Sequence, residues 1–300
     1  MYQRNALTLT LILFLTQPLL ACSTDDGESS MTTNDTTTDN LTNTELAVRL
    51  LTQGIGEKDA EVINALVRPD YIQHSALMGD GRQGLLDYVA ASPPVSVDVH
   101  RVLEDGDMVA LHVSYTLPDD TTLIAFDVFR VQDNQLAEHW DALQPAVPAS
   151  ESASGRSMVD GPTEVTDLGQ TEANRALVSA FVDAFFVKGQ LDRADEFISA
   201  ETYMQHNPAA MDGLDSLLEL FNTLSAMGLS VGYTRVPLVI AQGNMVLTGA
   251  EGFFGPSGEA SYAVFYDLWR VEDGTIVEHW DVVPSPALDP AEMPHSNGWF

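Results

Sequence analysis

The chain has 300 residues, with 44 Asp or Glu against 13 Lys or Arg, so its formal net charge is −31. A surface this acidic repels phosphate backbones and argues against nucleic acid as a partner. The hydrophobic fraction of 45% supplies a folded core, and the length suits two ordinary domains. The single cysteine excludes an intramolecular disulfide framework and any zinc site built from several cysteines.

Residues 1–21 are typical of a secretory signal peptide, with Arg4 ahead of a short apolar run. The run ends Leu19-Leu20-Ala21-Cys22, which resembles the lipobox of bacterial lipoproteins. The resemblance implies cleavage before Cys22, lipidation of its thiol and a membrane anchor. Ser23 then implies the outer membrane, with the protein facing the periplasm. An ordinary secretion signal or an uncleaved anchor is the alternative.

Residues 22–43 are rich in Ser, Thr, Asp and Asn. Their side chains offer too little apolar surface to offset the entropy of ordering the chain, so this stretch is predicted to be a disordered tether. By composition, residues 146–170 are predicted to be a linker. Residues 286–300 are predicted to be an irregular tail, although Trp299 and Phe300 could dock on a domain.

Between these segments the sequence repeats itself. Tyr71-Ile72-Gln73-His74 recurs as Tyr203-Met204-Gln205-His206, and Glu138-His139-Trp140-Asp141 recurs as Glu278-His279-Trp280-Asp281. Two copies of one structural unit are therefore predicted, over residues 44–145 and 171–285.

Each copy begins with helical patterns and continues with strand patterns. Thr44 and Thr171 are predicted to cap the first helices, and shorter helices are predicted over 59–67 and 84–90, or 192–198 and 214–224 in the second copy. Strands are predicted over 95–103, 108–116, 121–131 and 136–141, with equivalents in the second copy. Helices followed by antiparallel strands predict an α+β unit with its helices on one face of a sheet.

The element order and the repeated motifs resemble the SnoaL-like, polyketide cyclase-like branch of the nuclear transport factor 2-like superfamily. The resemblance implies three helices against a strongly curved antiparallel sheet, which together enclose a cone-shaped pocket for a small, mostly apolar molecule. No cofactor is expected, and no metal is expected because no helical ligand spacing supports a metal site. The superfamily often forms dimers, so the two copies are expected to pack as an internal pseudo-dimer.

Asp127 and Asp267 lie in strands that are apolar on both faces. A buried carboxylate without a partner raises its own pKa, which suits a general base or acid working near neutral pH. These two residues are the predicted catalytic bases. An Asp satisfied by backbone or hydroxyl groups is the structural alternative.

Hairpin register predicts what lies beside them. A two-residue turn at Asp133-Asn134 places Trp140 opposite Asp127 and Glu138 opposite Phe129. The same rule applied to the second copy groups Trp280, Glu278 and Trp269 with Asp267. The predicted pocket face therefore carries Asp, Trp and Glu, although a single bulge would exchange the two faces.

The histidines of the first motif complete the predicted site. His74 and His206 could exchange protons with the aspartates, and Tyr71 or Tyr203 could donate a phenolic hydrogen bond to a carbonyl. A structural hydrogen bond is the alternative role of these histidines. His112 adds a polar group whose predicted counterpart is Thr248, and a metal site of His74, His112 and Asp127 is a minor alternative.

The sequence thus predicts an envelope lipoprotein that performs acid–base chemistry beside a carbonyl, such as aldol-type cyclisation or isomerisation. A non-catalytic binding module for a hydrophobic ligand is the alternative from a different class. A third reading is a structural role, with the pockets filled by side chains.

Overall fold

The structure is a computed structural model that describes residues 41–284 and 287–300. The predicted signal peptide, Cys22 and nearly all of the predicted tether lie outside the described residues. Within the described ranges, no helix has the length and apolar character needed to cross a membrane.

The first half contains three α-helices and five strands. They are α1 (Asn43–Arg49), which continues as a π-helix (Leu50–Gly56), α2 (Ala60–Leu66), β1 (Val67–Gln73), α3 (Gly81–Ala91), β2 (Ser96–Asp105), β3 (Met108–Thr116), β4 (Thr122–Gln132) and β5 (Gln135–Pro145).

The second half repeats this order with a shorter second helix. Its elements are α4 (Thr171–Val182), which continues as a π-helix (Asp183–Val187), a 3₁₀-helix (Leu191–Glu196), β6 (Met204–Gln205), α5 (Leu214–Ala226), β7 (Leu229–Gln242), β8 (Met245–Pro256), β9 (Ser261–Glu272) and β10 (Thr275–Val282).

Capping residues explain where the first helices begin. Thr42, not Thr44, caps α1: its hydroxyl accepts from the Glu45 N–H, and the Glu45 carboxylate accepts from the Thr42 N–H. Thr171 is likewise the first residue of α4 and not its cap, because its hydroxyl donates to the Leu168 carbonyl. Asp59 caps α2 through the N–H groups of Glu61 and Val62.

The two sheets have the same strand order, β1-β5-β4-β3-β2 and β6-β10-β9-β8-β7. The predicted α+β class is confirmed, but each sheet is mixed and not purely antiparallel. The short strand that carries the first motif, β1 or β6, pairs parallel to the last strand of its half. This pairing brings the two repeated motifs side by side.

The β4–β5 hairpin contains the predicted turn and one bulge. Asp133 and Asn134 both have positive φ, as a two-residue hairpin turn requires, and Gln132 pairs with Gln135. The register then shifts by one residue at Ala137, so that Asp127 pairs with Asp141 and Val128 with Trp140. The β9–β10 hairpin shifts in the same way, and Asp267 pairs with Asp281.

The bulge overturns the predicted pocket face, because it exchanges the faces of every residue beyond it. Asp127 shares its face with His139 and Asp141, and this face packs on the helices. Trp140 and Glu138 lie on the opposite face. The same correction applies to Asp267, Trp280 and Glu278.

Three apolar clusters hold the described chain together. One lies between the helices and sheet of the first half, and a second lies in the equivalent place of the second half. The third contains residues of both halves, among them Phe126 and Trp140 with Tyr266 and Trp280. The outer faces of the two sheets therefore share one core.

The segment that follows each half along the chain packs against the other half. The residues predicted as linker pack on the second half, where Arg156 pairs with Asp212 and Met158 is buried. The C-terminal residues pack on the first half, where the Asn297 amide donates to Asp80, and Trp299 is only 3% exposed. We call the segments 146–170 and 287–300 the two clasps.

Candidate functional site

The helix-facing side of each sheet carries a buried polar cluster. In the first half it consists of Asp127, His139 and Asp141, which are each 1–2% exposed and offer ligand or proton-transfer atoms within 4.8 Å of one another. Tyr71 and Phe129 lie on the same face and stack against the His139 ring, with centroids 6.4 Å and 4.6 Å away. Tyr71 and Phe129 therefore lie on the helix-facing side of the sheet, beside the polar cluster.

Hydrogen bonds fix the His139 ring. Its Nδ1 lies 2.9 Å from Gln73 Oε1, which also accepts from the N–H groups of His74 and Ser75. That oxygen is an acceptor only, so Nδ1 carries a proton and donates it. Nε2 then faces Asp127 Oδ1 at 3.1 Å, and the Tyr115 hydroxyl donates to Asp127 Oδ2 at 2.8 Å. A hydrogen bond between Nε2 and Asp127 Oδ1 therefore requires a proton on one of these two atoms.

Asp141 is the carboxyl group best suited to titrate near neutral pH. Burial raises its pKa to about 6, and the charge of Asp127 adds to this effect, while His139 and a hydrogen bond with Ser75 oppose it. The pKa of Tyr115 is raised well above 10, first by burial and then by the Asp127 charge, so the phenol remains a proton donor.

The second half repeats the cluster with Asp267, His279 and Asp281. His279 lies between Gln205 and Asp267 at 2.9 Å and 3.1 Å, and Tyr233 donates to Asp267 at 2.8 Å. Burial raises the pKa of Asp281 to about 6, with the Asp267 charge adding to the rise.

Two of the predicted binding residues of the second half are also buried beside its polar cluster. Trp269 stacks on His279 with centroids 4.0 Å apart. The hydroxyl of the buried Tyr203 accepts a hydrogen bond from the Gln205 amide at 3.4 Å.

One difference separates the two clusters. Asn207 stands where the first half has Ser75, and its amide donates to Asp281 Oδ2 at 2.6 Å. Asp281 Oδ1 is buried and has no hydrogen-bond partner among the described residues.

His74 lies on the other face of the sheet and is not a partner of Asp127. Its Nε2 lies 3.0 Å from Glu138 Oε1, its ring stacks on Trp140, and its Nδ1 donates to the Gly298 carbonyl of the C-terminal clasp. Burial raises the pKa of Glu138, but hydrogen bonds from His74 and Arg130 outweigh it, and the net pKa is lowered. The predicted proton-transfer pair of His74 and Asp127 is therefore wrong, because the bulge places the two side chains on opposite faces.

His206 has the matching environment in the second half. It bonds to Glu278 at 2.9 Å, stacks on Trp280, and donates to the Ser157 carbonyl of the linker clasp at 2.7 Å. The clasp passes Trp280 at Gly161, where φ is +98° and an added Cβ would lie 2.8 Å from the indole ring. His206, Glu278 and Trp280 thus lie against the linker clasp, and the predicted pairing of His206 with Asp267 is also wrong.

His112 is buried in the core that the two halves share. Arg101 donates to its Nδ1, its ring stacks on Phe126, and burial holds its pKa well below 6.5. Thr248 is not its counterpart: Leu111 pairs with Asp127 as Thr248 pairs with Asp267, so the counterpart of His112 is Gly249. The alternative metal site of His74, His112 and Asp127 is not formed, since both histidines face away from Asp127.

His139, Asp141, Gln73 and Tyr115 were not among the site residues predicted from the sequence. The first three belong to the repeated motifs, so the signal was present, but it was assigned to the wrong face. Tyr115 lies on β3, next to the strand of Asp127, and strand alternation places it on the same face as Asp127. That alternation could have identified it from the sequence.

A groove of about 350 Å³ lies between β2 and the linker clasp, lined in part by His100, Arg101 and Thr163. The Arg101 guanidinium donates there to the carbonyls of Val159, Asp160 and Pro162, and it also donates to His112. Four of its five N–H groups are therefore used within the protein.

Comparison with known proteins supports the repeat. The family model for the SnoaL-like domain matches residues 48–139 and again 178–279, together more than half of the chain. A search of curated proteins found no match to this chain.

Similar solved structures each cover about the length of one half. IdmH from Streptomyces antibioticus is 20% identical over 35% of this chain and 93% of its own, with a TM-score of 0.31. An LEH-like epoxide hydrolase from M. tuberculosis is 18% identical over 39% of this chain and 86% of its own, with a TM-score of 0.33. A SnoaL-like polyketide cyclase from Agrobacterium tumefaciens is 11% identical over 37% of this chain and 91% of its own, with a TM-score of 0.31.

Proposed function

The chain belongs to the SnoaL-like domain family in both of its halves, and from this premise we propose that it performs cofactor-independent acid–base chemistry on a small, mostly apolar carbonyl compound. The reaction class is proton abstraction next to a carbonyl, as in aldol-type cyclisation or isomerisation. The observation that carries the proposal is the buried cluster of two carboxyl groups and one histidine, which occurs once in each half.

Asp141 and Asp281 are the proposed bases, in place of the Asp127 and Asp267 chosen from the sequence. Both oxygens of Asp127 are engaged, by His139 and by Tyr115, so its role is to position the histidine. A pKa of about 6 leaves Asp141 ionised at neutral pH but still basic enough to accept a proton.

The proton balance is simple. The Asp141 carboxylate takes a proton from the carbon beside the carbonyl and becomes a carboxylic acid, and an enolate forms. The proton between His139 and Asp127 is offered as a hydrogen bond to the enolate oxygen and is not transferred, and this bond stabilises the developing charge. Isomerisation ends when Asp141 returns its proton to another carbon. Cyclisation occurs when the enolate carbon attacks a second carbonyl, and the Asp141 carboxylic acid then protonates the alkoxide that forms.

The location is a separate part of the proposal. The lipobox-like sequence ending at Cys22 supports a lipid anchor on an envelope protein, at the outer membrane and facing the periplasm. The two halves then act there as an internal pseudo-dimer. We expect labelled palmitate to be incorporated into the wild-type chain and not into Cys22→Ser, and label in the variant would refute the assignment.

Deuterium exchange tests the chemistry without knowledge of the substrate. The full chain in deuterated water is incubated with benzoylacetone, an aromatic β-diketone, and uptake at its acidic carbon is followed by NMR. We expect the Asp141→Asn plus Asp281→Asn variant to lose at least ~100-fold of the protein-catalysed rate. Asp119→Asn, in an exposed turn, is the matched control and keeps the rate.

A non-catalytic binding module remains the second candidate, because the hydrogen bonds of Asp127 are complete within the protein. It predicts no exchange above the uncatalysed rate in the wild-type chain. It also predicts that the double variant binds an apolar dye with an affinity within a few-fold of the wild type. That combination of results would replace the catalytic proposal.

A further inference from the structure

The second-half cluster has the donor set of a metal centre. Asp267, His279 and Asp281 are all buried, and one nitrogen or oxygen atom from each lies within 4.8 Å of the others. One imidazole and two carboxylates suit divalent transition metals such as zinc, whereas calcium and magnesium prefer oxygen ligands alone.

Each of the three side chains forms a hydrogen bond with a neighbouring residue through an atom that faces away from the centre of the cluster. The His279 Nδ1–H donates to Gln205 at 2.9 Å, Tyr233 donates to Asp267 Oδ2 at 2.8 Å, and Asn207 donates to Asp281 Oδ2 at 2.6 Å. Metal ligands are held in this way, with the second atom of each group bonded to the protein. His279 Nε2, Asp267 Oδ1 and Asp281 Oδ1 are the atoms that would ligate an ion, which would replace the present 3.1 Å bond between the first two.

Asp281 Oδ1 provides a second observation that points to a ligand and is independent of the donor set. Asp281 is 7% exposed, and this oxygen has no hydrogen-bond partner among the described residues. A buried carboxylate oxygen without a partner is costly and calls for an unseen proton, water or ion. In the described chain Asp141, its counterpart, leaves no such atom, and it bonds to Ser75.

We propose that Asp267, His279 and Asp281 bind one divalent transition-metal ion of the zinc class in the second half of the chain. The two carboxylates balance the charge of the ion, and no Lys or Arg within the described ranges forms an ion pair with either of them. The ion and a proton compete for Asp281 Oδ1, so the base function of this half belongs to its metal-free form. The expectation of no metal, which was based on the absence of helical ligand spacing, is revised for this half alone.

The test measures binding and not turnover. The full chain is treated with chelator, dialysed and titrated calorimetrically with Zn²⁺, with Ca²⁺ as the comparison ion. Co²⁺ is titrated separately, and its visible absorption reports nitrogen and oxygen ligation. We expect one Zn²⁺ per chain, no tight Ca²⁺ binding, and loss of both Zn²⁺ binding and the cobalt bands in Asp281→Asn.

Two further variants keep the test decisive. Asp141→Asn is the matched control in the first half, and it should leave the stoichiometry at one. Asn207→Ala leaves all three ligands in place and should weaken Zn²⁺ binding by ~10-fold or more. A stoichiometry of zero or two, or tight binding that survives Asp281→Asn, would overturn the proposal. Because deuterium exchange can still proceed in the first half, this failure is distinct from failure of the proposed reaction.

Discussion

The two halves keep one polar cluster but pack it against different cores. In the first half the helices contribute mostly aliphatic side chains, such as Leu46, Leu50 and Ile63. In the second half they contribute aromatic ones, and Phe185 contacts both Phe181 and Phe221. Apolar cores tolerate such exchange if volume and pattern are kept, whereas a buried hydrogen-bond network does not, because a half-satisfied network is worse than none.

The halves also differ in how they are clasped. The linker clasp contacts the second half through Trp280, whose indole N–H donates to the Asp160 carbonyl at 2.8 Å and whose ring lies 4.2 Å beneath Arg101. The C-terminal clasp contacts the first half through His74 and Asp80 and leaves Trp140 7% exposed. Trp280 is therefore the more completely packed of the two tryptophans.

The largest expected effect compares the two tryptophans. Trp280→Ala removes a fully buried ring, a hydrogen bond and the contact with Arg101, and should lower the free energy of unfolding by ~4–5 kcal/mol. Trp140→Ala should cost ~3 kcal/mol. Urea unfolding followed by circular dichroism measures both. Equal losses would show that the two clasps contribute equally.

The next effect is the pH dependence of stability that each buried aspartate contributes. The pKa of Asp141 is about 6 in the folded protein and ~3.9 in the unfolded chain, so the folded state binds more protons between these values. This contribution is therefore fully present below pH ~4 and is lost as pH rises through about 6. Its full size is ~3 kcal/mol, and Asp281 makes the same contribution.

Asparagine variants isolate the two contributions. Asp141→Asn and Asp281→Asn should each be more stable than the wild type at pH 7, by up to ~3 kcal/mol, and should match it near pH 4. Urea unfolding at several pH values gives the difference between each variant and the wild type. Added Zn²⁺ should stabilise the wild type and Asp141→Asn but not Asp281→Asn. A difference that does not change with pH would contradict the raised pKa.

Local patterns in the sequence were enough to predict much of the fold. The repeat, the strand boundaries to within a few residues and the Asp133-Asn134 turn all depend on neighbouring residues, and the structure contains them. The strand β1 was missed because its alternation is short and Pro69 interrupts it. The α+β class and the family followed from element order and motifs.

The sequence could not show which side chains of the last strand face the helices, because a single bulged residue decides this. Ala137 and Val277 carry the bulges, and neither has a side chain that marks one. The clasps were missed for a different reason. His74 meets Gly298 at a separation of 224 residues, and only tertiary packing specifies such a contact.

The smallest expected effect on the free energy of unfolding concerns one position in the shared core, where the two halves have different side chains. His112 stacks on Phe126 in the first half, while in the second the counterpart Gly249 leaves room for Phe300, which stacks on Tyr266.

His112 Nε2 is buried without a partner among the described residues, and its Nδ1 accepts from Arg101, which also donates to the Val159 carbonyl. His112→Phe removes the unpaired Nε2–H and keeps an aromatic ring stacked on Phe126. Arg101 can still donate to the Val159 carbonyl. It should therefore raise the free energy of unfolding slightly, by up to ~1 kcal/mol. Phe300→Ala, which empties the matching place, should lower it by ~2 kcal/mol. Urea midpoints of the two variants measure the contrast, and a destabilised His112→Phe would mean that the Arg101 bond to the imidazole outweighs the unpaired nitrogen.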